Sequence, residues 1–358
     1  MLKVRAAVQK LQTYHPPLAG RQGLRLDFNE NTVGCSPRVL ARMRALDTET
    51  LARYPDREPV EHEVAGFLGL DATQLLLTNG VDEAIHLLCS TYLEAGDEAV
   101  IVMPTFAMYS IFAQAAAAKV VEVQSGPDFA FPLEALLTRI SPRTRFIAIA
   151  NPNNPTGAAV SEEILLRIAD AAPQAAVLVD EAYFEFHGET LLARRERPSN
   201  LFVARTFSKA YGLAGLRIGV LVGDPRQMAM VRRVASPYNV NAVALAILPE
   251  ALQDVAYVEH YAAEMRRNRR LLEQELSGLG LHYWPSRGNF VLVRIGPLHN
   301  DFVHSLRDRG ILVRDRDSDP GCEGCVRLTV GSDQQMRTLI TTLRSIVEEL
   351  ALRREVQA

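Results

Sequence analysis

A lysine, two hydroxyl side chains and an arginine lie within one glycine-rich stretch, RTFSKAYGLAGLRIG at residues 205–219. The stretch begins directly after the apolar run LFVA, which has the composition of a buried strand. Lys209 therefore stands where a charge is costly, and it is the only lysine between Lys119 and the C-terminus. An amine in a crevice near an arginine has a lowered pKa and is more nucleophilic at neutral pH. We expect Lys209 to carry chemistry.

Polar side chains also follow three other apolar runs. TNGVDE (78–83) follows LLLT, NPNNPTG (151–157) follows RFIAIA, and DEAY (180–183) ends the run AVLV. Together with the lysine stretch, these segments supply amides, a carboxylate, hydroxyls and the N-terminus of a helix. In open α/β sheets, ligands bind beyond the carboxyl ends of the strands. The four strand ends are therefore predicted to line one crevice.

The pattern between these segments predicts an α/β fold with a mainly parallel sheet in a large domain. From about Leu75 onward, short apolar runs alternate with helical periodicity. In VDEAIHLLCSTYLEAG, apolar residues recur at helical spacing, and Gly96 is predicted to end that helix. Strands that read as continuous apolar runs are typical of sheets covered on both faces.

The chain is predicted to have three parts. Residues 1–40 form an N-terminal segment that packs on the small domain or on a partner subunit, residues 41–260 form the large domain, and residues 261–358 form a smaller α/β domain. A long, charged amphipathic helix near 255–278 marks the change between the domains. NFVLVRI and CVRLTVG are strand candidates in the small domain.

Composition narrows the functional classes. The 358 residues are 48% hydrophobic and 23% charged, as in an ordinary globular protein. The net charge of −3 gives no reason to expect binding to nucleic acid or to an acidic membrane surface. No apolar run approaches the roughly 20 residues of a transmembrane helix, and the first residues contain no signal-peptide core. We expect a cytoplasmic protein.

No metal site is expected from the sequence. Cys322 and Cys325 form a single CxxC pair, with no histidine of ligand spacing nearby, and we interpret them as thiols of a glycine-rich loop before a strand. The eight histidines form no HExxH motif, and neither a GxGxxG nor a Walker A sequence is present.

Taken together, the motifs resemble those of the fold type I, class I/II aminotransferases that depend on pyridoxal phosphate and, among them, the histidinol-phosphate aminotransferases. The resemblance extends over nearly the whole chain, through YHPP near the start, LDFNEN (26–31), RYPD (53–56), NGVDE, PTFAMY (104–109), NPNNPTG, VDEAY, the lysine stretch and GCEGCVRLTVG (321–331). It implies the fold of the type I pyridoxal-phosphate transferases, with pyridoxal 5'-phosphate bound in the large domain. It also implies a homodimer with shared active sites.

The resemblance implies catalytic roles for Lys209, Asp180 and Tyr183. Lys209 would form an imine with the cofactor aldehyde and then move the Cα proton, and Asp180 would keep the pyridine nitrogen protonated. Tyr183 and Asn154 would hydrogen-bond the phenolic oxygen and lower the pKa of the imine. Phe106 would stack on the ring, where many histidinol-phosphate enzymes have tyrosine. Without the resemblance, Asp180 reads as a helix N-cap, Asn154 as a turn residue and Phe106 as a core aromatic.

The cofactor phosphate requires hydrogen-bond donors. A helix N-terminus, hydroxyl groups and a guanidinium meet this need, and the sequence offers them at Gly80, Val81, Asp82, Thr206, Ser208 and Arg217. The resemblance adds Tyr54 of RYPD, which would reach the phosphate from the other subunit. Read by itself, Tyr54 would be a turn tyrosine before a proline.

Three residues are predicted to bind the substrate. The resemblance matches Arg327 to an arginine that binds the α-carboxylate, and it matches Arg314 and Tyr14 to side chains that bind a substrate phosphate. Because a guanidinium fits carboxylate and phosphate alike, the same arginines would accept glutamate and a phosphate monoester in the two half-reactions. The sequence around Arg314, LVRDRDSDP, is also typical of a solvated charged loop.

The predicted function is transamination with pyridoxal phosphate by ping-pong exchange between a small amino donor and a keto acceptor. Histidinol phosphate with 2-oxoglutarate, in histidine biosynthesis, is the favoured pair. A related enzyme is the alternative, namely an aromatic aminotransferase, an amino-acid phosphate decarboxylase or a specialised biosynthetic enzyme, because sequence does not show which bond at Cα breaks. A regulator without catalysis would need an appended DNA-binding module, and no basic helix-turn-helix pattern precedes residue 26.

Overall fold

The structure is a computed structural model that describes residues 2–15, 17, 20–194 and 197–357, with side chains up to residue 350. Pro16 of the YHPP motif lies outside the described residues. In chain order, the α-helices are α1 (Ala6–Gln9), α2 (Pro37–Arg44), α3 (Thr48–Ala52), α4 (Glu58–Leu68), α5 (Gly80–Tyr92), α6 (Met108–Ala115), α7 (Leu133–Arg139), α8 (Glu162–Ala171), α9 (Phe184–His187), α10 (Pro225–Val234), α11 (Ala242–Gln253), α12 (Val255–Gly278), α13 (His299–Asp308) and α14 (Asp333–Gln357). The strands are β1 (Leu24–Leu26), β2 (Leu75–Thr78), β3 (Glu98–Met103), β4 (Lys119–Gln124), β5 (Thr144–Ala150), β6 (Ala176–Asp180), β7 (Leu201–Thr206), β8 (Gly219–Val222), β9 (His282–Trp284), β10 (Phe290–Arg294), β11 (Ile311–Asp315) and β12 (Cys325–Thr329). No described helix is long and apolar enough to cross a membrane.

A seven-stranded sheet in the order β2-β8-β7-β6-β5-β3-β4 forms the centre of the large part of the molecule. The predicted parallel arrangement is present in five adjacent strands: β4, β3, β5, β6 and β7 pair in parallel with one another. β8 runs antiparallel to β7 on one side and to β2 on the other. β8 was not predicted, since it begins at Gly219, the last residue of the glycine-rich lysine stretch.

Apolar side chains cover both faces of this sheet, as the continuous apolar runs predict. Val177 and Val179 of β6 belong to one buried cluster, and Leu178 between them belongs to a cluster on the opposite face. All three side chains are fully buried. Because side chains alternate across a strand, a strand buried on both faces needs apolar residues at every position.

Local chemistry fixes several helix starts. The Ser36 hydroxyl accepts a hydrogen bond from the Val39 N–H, and the Asp224 carboxylate accepts one from the Arg226 N–H. In both helices proline follows the cap. At this first helical position an N–H would have no intrahelical acceptor, so proline costs no hydrogen bond there. One predicted helix end was wrong: α5 ends at Tyr92, and Gly96 lies in the turn before β3.

A second, five-stranded sheet in the order β1-β11-β12-β10-β9 lies in the C-terminal part. The predicted strands NFVLVRI and CVRLTVG are its β10 and β12, which pair antiparallel. β1 comes from the N-terminal segment and pairs in parallel with β11. The predicted limits 1–40, 41–260 and 261–358 stay predictions, and the limit at residue 260 falls inside α12.

The glycines of the lysine stretch have different structural roles. Gly212 has φ +70°, and a Cβ there would lie 2.6 Å from the Gly34 carbonyl oxygen. Gly219 stands opposite both Thr78 and Thr206 in the sheet, and a Cβ there would lie 2.8 Å from the Arg205 carbonyl oxygen. At Gly212, both the backbone conformation and the close approach therefore require glycine.

We predict that Gly212→Ala lowers the free energy of unfolding by about 2 to 3 kcal/mol, since it adds backbone strain and a contact with the chain at Gly34. Gly215→Ala is the matched control. A Cβ at Gly215 meets no atom within 4 Å, so its effect is expected to stay within about 0.5 kcal/mol. Denaturant unfolding of both variants checks this. Equal stabilities would show that the approach to Gly34 is unimportant.

Candidate active site

The carboxyl ends of β5, β6 and β7 and the start of α5 surround one cavity. Most of the predicted cofactor-binding residues line it, namely Val81, Asp82, Phe106, Asn154, Asp180, Tyr183, Thr206, Ser208, Lys209 and Arg217. Four separate segments of the sequence thus converge on one crevice, as their positions after the strands predict.

Lys209 is half-buried and lines this cavity. Its Nζ donates a hydrogen bond to the Phe28 carbonyl oxygen at 2.9 Å and lies 5.9 Å from the centre of the Tyr183 ring. Burial lowers the pKa of Lys209 to about 8, and the positive charges of Arg327 and Arg217 act in the same direction. At pH 7 about a tenth of the Lys209 amine is therefore neutral and nucleophilic, far more than in a lysine with the ordinary pKa of 10.5.

Asp180 ends β6 and is held by two hydrogen bonds. Its Oδ1 accepts from the Ala182 N–H at 3.0 Å, and its Oδ2 accepts from the Tyr109 hydroxyl at 2.6 Å. Burial raises the pKa of Asp180 to about 6, whereas the bond from Tyr109 lowers it. A carboxylate fixed in this way is suited to hold a cationic N–H of a bound ring.

Tyr109 is a site residue that the sequence did not reveal. It belongs to PTFAMY, where only Phe106 was singled out, and both side chains line the cavity. The two rings meet edge to face, with centroids 5.7 Å apart. The available signal was the place of Tyr109 in the same short motif as Phe106, which precedes α6.

Tyr183 and Asn154 are fixed by residues from distant parts of the chain. The Asn29 side-chain amide donates to the Tyr183 hydroxyl at 3.0 Å. The Asn154 carbonyl oxygen accepts a hydrogen bond from the Arg327 guanidinium. Burial raises the pKa of Tyr183, so its hydroxyl keeps its proton at neutral pH.

The end of the cavity next to α5 and β8 fits a phosphate group. α5 begins at Gly80 with no side-chain cap from Asn79, and the first N–H groups of a helix have no intrahelical acceptor. The Ser208 hydroxyl is buried and has no hydrogen-bond partner among the described residues. Arg217 forms a 3.0 Å ion pair with Asp82, and a Cβ on Gly80 would lie 2.8 Å from its guanidinium. Gly80 therefore leaves room for the arginine.

A second cavity adjoins the first, and the two share Phe106, Asn154, Tyr183 and Lys209. It is also lined by all three predicted substrate-binding residues, Tyr14, Arg314 and Arg327. Arg314 lies on β11, so it belongs to a strand and not to a solvated loop. Its guanidinium donates to the Tyr14 hydroxyl at 3.5 Å.

Arg327 is buried on β12. Its guanidinium donates to the Asp27 carbonyl oxygen at 2.6 Å, and its Nε has no partner among the described residues. Burial lowers the pKa of Arg327 to about 10, and the neighbouring cations Arg316 and Arg314 add to this effect. A buried cation with an unused donor is suited to bind a carboxylate or a phosphate.

Arg316 and Asp319 are further cavity residues that the sequence reading passed over. They form an ion pair with each other and line the same cavity as Arg314 and Arg327. Burial raises the pKa of Asp319, against the lowering effect of the three arginines. In sequence, DRDSDP looks like a solvated charged loop, and its spacing gives no sign of this pair.

Tyr54 does not reach either cavity within one protomer. Its side chain is 79% exposed and stacks on Tyr238, with ring centroids 4.4 Å apart. The predicted role of Tyr54 depends on a second copy of the chain.

A sequence profile of the family described as aminotransferase class I and II matches residues 21–343, which is most of the chain. The chain belongs to this family. Histidinol-phosphate aminotransferase from Caldanaerobacter subterraneus subsp. tengcongensis is 35% identical to it, over 82% of this chain and 84% of the relative. The histidinol-phosphate aminotransferase 1 of Trichormus variabilis is 32% identical, over 96% of this chain and 98% of the relative.

Solved structures show the same fold. Histidinol-phosphate aminotransferase from Sinorhizobium meliloti in complex with pyridoxal-5'-phosphate superposes with a TM-score of 0.87 at 24% identity, over 98% of this aminotransferase and 99% of that chain. The predicted fold and enzyme class are confirmed by these matches, and the predicted cofactor, pyridoxal phosphate, is the one bound in the Sinorhizobium meliloti structure.

We predict that the rate at which pyridoxal phosphate combines with the cofactor-free aminotransferase rises with pH and reaches half its maximum near pH 8. The neutral Lys209 amine is the nucleophile, and its pKa of about 8 is below the 10.5 of an exposed lysine. Stopped-flow absorbance over pH 6 to 10 measures the rate, with Lys209→Ala as the control that lacks this phase. A midpoint near 10.5 would contradict the lowered pKa.

Proposed function

We propose that this aminotransferase exchanges an amino group between histidinol phosphate and 2-oxoglutarate, as a step of histidine biosynthesis. The observation that carries the proposal is the arginine-rich cavity next to Lys209, which is suited to substrates with two anionic ends or one dianionic end. The identity to histidinol-phosphate aminotransferases over most of the chain supports the same substrate. We further propose a cytoplasmic location, where free glutamate and 2-oxoglutarate are present.

Pyridoxal phosphate would be held by the residues that line the first cavity. Ser208, Arg217 and the N-terminus of α5 would bind its phosphate, and Asp180 would bind its ring nitrogen. When bound, the cofactor supplies a ring that accepts electrons from the substrate carbon next to the amino group. The protein residues orient the two partners and move the proton.

Lys209 is proposed as the base that moves this proton. Its Nζ lies where the two cavities meet, and its lowered pKa allows it to accept a proton and return it near neutral pH. Tyr183 is proposed to donate its hydroxyl proton to the phenolic oxygen of the cofactor. Asp180 is proposed to keep the ring nitrogen protonated through a charge-assisted hydrogen bond.

The charges of the second cavity favour a substrate with two negative charges. Arg314, Arg316 and Arg327 contribute positive charges and Asp315 and Asp319 negative ones; Asp319 pairs with Arg316, and Asp315 contacts His299, which leaves Arg314 and Arg327 without a carboxylate partner among the described residues of the cavity. The two remaining positive charges match a phosphate dianion, or the two carboxylates of glutamate and 2-oxoglutarate. One set of arginines thereby serves both half-reactions of a ping-pong exchange.

We predict faster turnover with histidinol phosphate than with histidinol, phenylalanine or threonine phosphate when 2-oxoglutarate is the acceptor. In Arg314→Gln, kcat/KM for histidinol phosphate is expected to fall about 100-fold, because a charge-assisted hydrogen bond is lost. The ratio of kcat/KM for histidinol phosphate to that for histidinol should therefore become smaller. Arg294→Gln, which changes an exposed arginine of β10, is the matched control. Lys209→Ala is expected to abolish turnover.

Two outcomes of this assay would contradict the proposal. A higher kcat/KM for phenylalanine would favour an aromatic aminotransferase, and release of carbon dioxide from threonine phosphate would favour a decarboxylase. Residual cycling by Lys209→Ala would contradict the role of the lysine.

A homodimer with shared active sites is also part of the proposal. The exposed rings of Tyr54 and Tyr238 stack on each other, and the exposed apolar side chains of Leu51 and Val234 lie in the adjoining segments. Exposed apolar side chains grouped in this way are typical of a surface that another chain covers. The Tyr54 hydroxyl of one subunit would bind the cofactor phosphate in the other.

We predict a dimer by sedimentation velocity and a specific effect of Tyr54→Phe. The substitution removes one hydroxyl and keeps the stacking on Tyr238, so the dimer should persist while the dissociation constant of the cofactor rises about tenfold. Tyr238→Phe is the control, with no change in cofactor affinity. A monomer, or an equal loss of affinity in both variants, would contradict a shared site.

A further inference from the structure

Three consecutive residues of the N-terminal segment contact the three main polar side chains of the site. The Asp27 carbonyl oxygen accepts from Arg327, the Phe28 carbonyl oxygen accepts from Lys209, and the Asn29 side chain donates to Tyr183. The first two contacts come from backbone carbonyls, which any residue supplies. The third depends on the side chain at position 29.

A closed pair of hydrogen bonds with Thr329 holds Asn29. The Thr329 Oγ1 accepts from the Asn29 backbone N–H at 3.1 Å, and its hydroxyl proton goes to the Asn29 Oδ1 at 3.0 Å. The Asn29 carbonyl oxygen also accepts from the Asn289 amide at 3.2 Å. Asn29 is 1% exposed and Thr329 is 0% exposed, so water does not compete for these groups.

These bonds set the direction of the Asn29 amide. The Thr329 hydroxyl has one proton, which needs an acceptor in a buried place, and Oδ1 is that acceptor. The Asn29 Nδ2 therefore points to the other side, where it donates to the Tyr183 oxygen at 3.0 Å. Since this oxygen accepts from Asn29, the Tyr183 proton must point elsewhere.

The backbone at position 29 favours asparagine. Its φ is +54°, a left-handed conformation in which asparagine is several-fold enriched among residues other than glycine. A glycine would accept the conformation and lose the amide, and most other residues would be strained there. Backbone and side chain thus select the same residue.

We infer that Asn29 is a positioning residue for Tyr183, holding the phenol so that its proton is directed at the phenolic oxygen of the cofactor. Asn29 itself does not touch the reacting atoms. It acts through Tyr183, and Thr329 fixes it to β12, the strand that also carries Arg327. The inference rests on the proposed role of Tyr183 and not on the identity of the substrate.

Other charged groups also face Tyr183, so the test must separate their effects from that of Asn29. They are Asp180 at the end of β6, Arg327 on β12, Arg316 in the loop after β11, and Lys209 near the ring face. Asn29→Asp leaves these four side chains in place and keeps the shape of residue 29 and the acceptor for Thr329, and the Tyr183→Phe background measures what the added carboxylate does by its charge alone.

Asn29→Asp replaces the Nδ2 donor with an oxygen that accepts. The Tyr183 hydroxyl would then donate its proton to residue 29 and no longer to the cofactor. The absorbance of the enzyme-bound cofactor, titrated against pH without substrate, reports the imine pKa that Tyr183 lowers. We expect the titration midpoint to rise by about one pH unit in Asn29→Asp, approaching that of Tyr183→Phe. In the Tyr183→Phe background, the same substitution should add less than about 0.3 unit.

Asn268→Asp is the matched control. It changes a buried amide on α12 that donates to the Gly331 carbonyl oxygen after β12, and it should lower stability without moving the midpoint. If Asn29→Asp does not fold, Thr329→Val removes the hydroxyl that orients Asn29 and should also raise the midpoint.

An unchanged midpoint in the folded variant, or an equal rise with and without the Tyr183 hydroxyl, would overturn the inference. Because no substrate is present, either result is independent of the histidinol-phosphate proposal.

Discussion

Burial of the Lys209 ammonium is the constraint on which the rest of the site depends. An ammonium removed from water needs a hydrogen-bond acceptor, or else its pKa falls and it loses its proton more easily. Lys209 shows both effects. The Phe28 carbonyl oxygen is the acceptor, while burial and two nearby arginines bring the pKa to about 8. The strand that ends before Lys209 and the N-terminal segment that carries Phe28 must therefore meet at this point.

The carboxylates around Lys209 are arranged so that they do not cancel the lowering of its pKa. Glu30 and Asp82 both raise the pKa of the lysine, but each is already paired with arginine. Glu30 contacts Arg21 and Arg25 on the protein surface, and Asp82 contacts Arg217 at the phosphate end. A carboxylate that is paired with an arginine attracts a more distant ammonium less strongly, because the two opposite charges partly cancel. The lysine keeps a reactive amine although acidic residues lie close by.

The residues that the sequence predicted and those that it missed differ in how they are positioned. Ser208, Lys209 and Asp180 follow apolar strands directly, so the strand pattern alone places them at the carboxyl end of the sheet. Tyr109 and Asn29 act through partners 71 and 154 residues away, and no local pattern marks such a pairing. β8 was missed because it begins at the last glycine of the lysine stretch, and its partner β2 lies far away in the sequence. The exposed Tyr54 gains a role only from a second chain, which one sequence does not describe.

The insertion of β8 between β2 and β7 joins the two halves of the proposed phosphate site. Gly219 is paired with Thr78 on one side and with Thr206 on the other, so the helix start at Gly80 and the turn at Ser208 meet at one rung of the sheet. A ligand bound here holds together strands that are far apart in sequence, and the unfolded chain has no such site. At a free concentration 100 times its dissociation constant, such a ligand adds about 2.7 kcal/mol to the stability of the folded state. A shortage of the cofactor would therefore leave more of the protein open to proteolysis and reduce its amount in the cell as well as its activity.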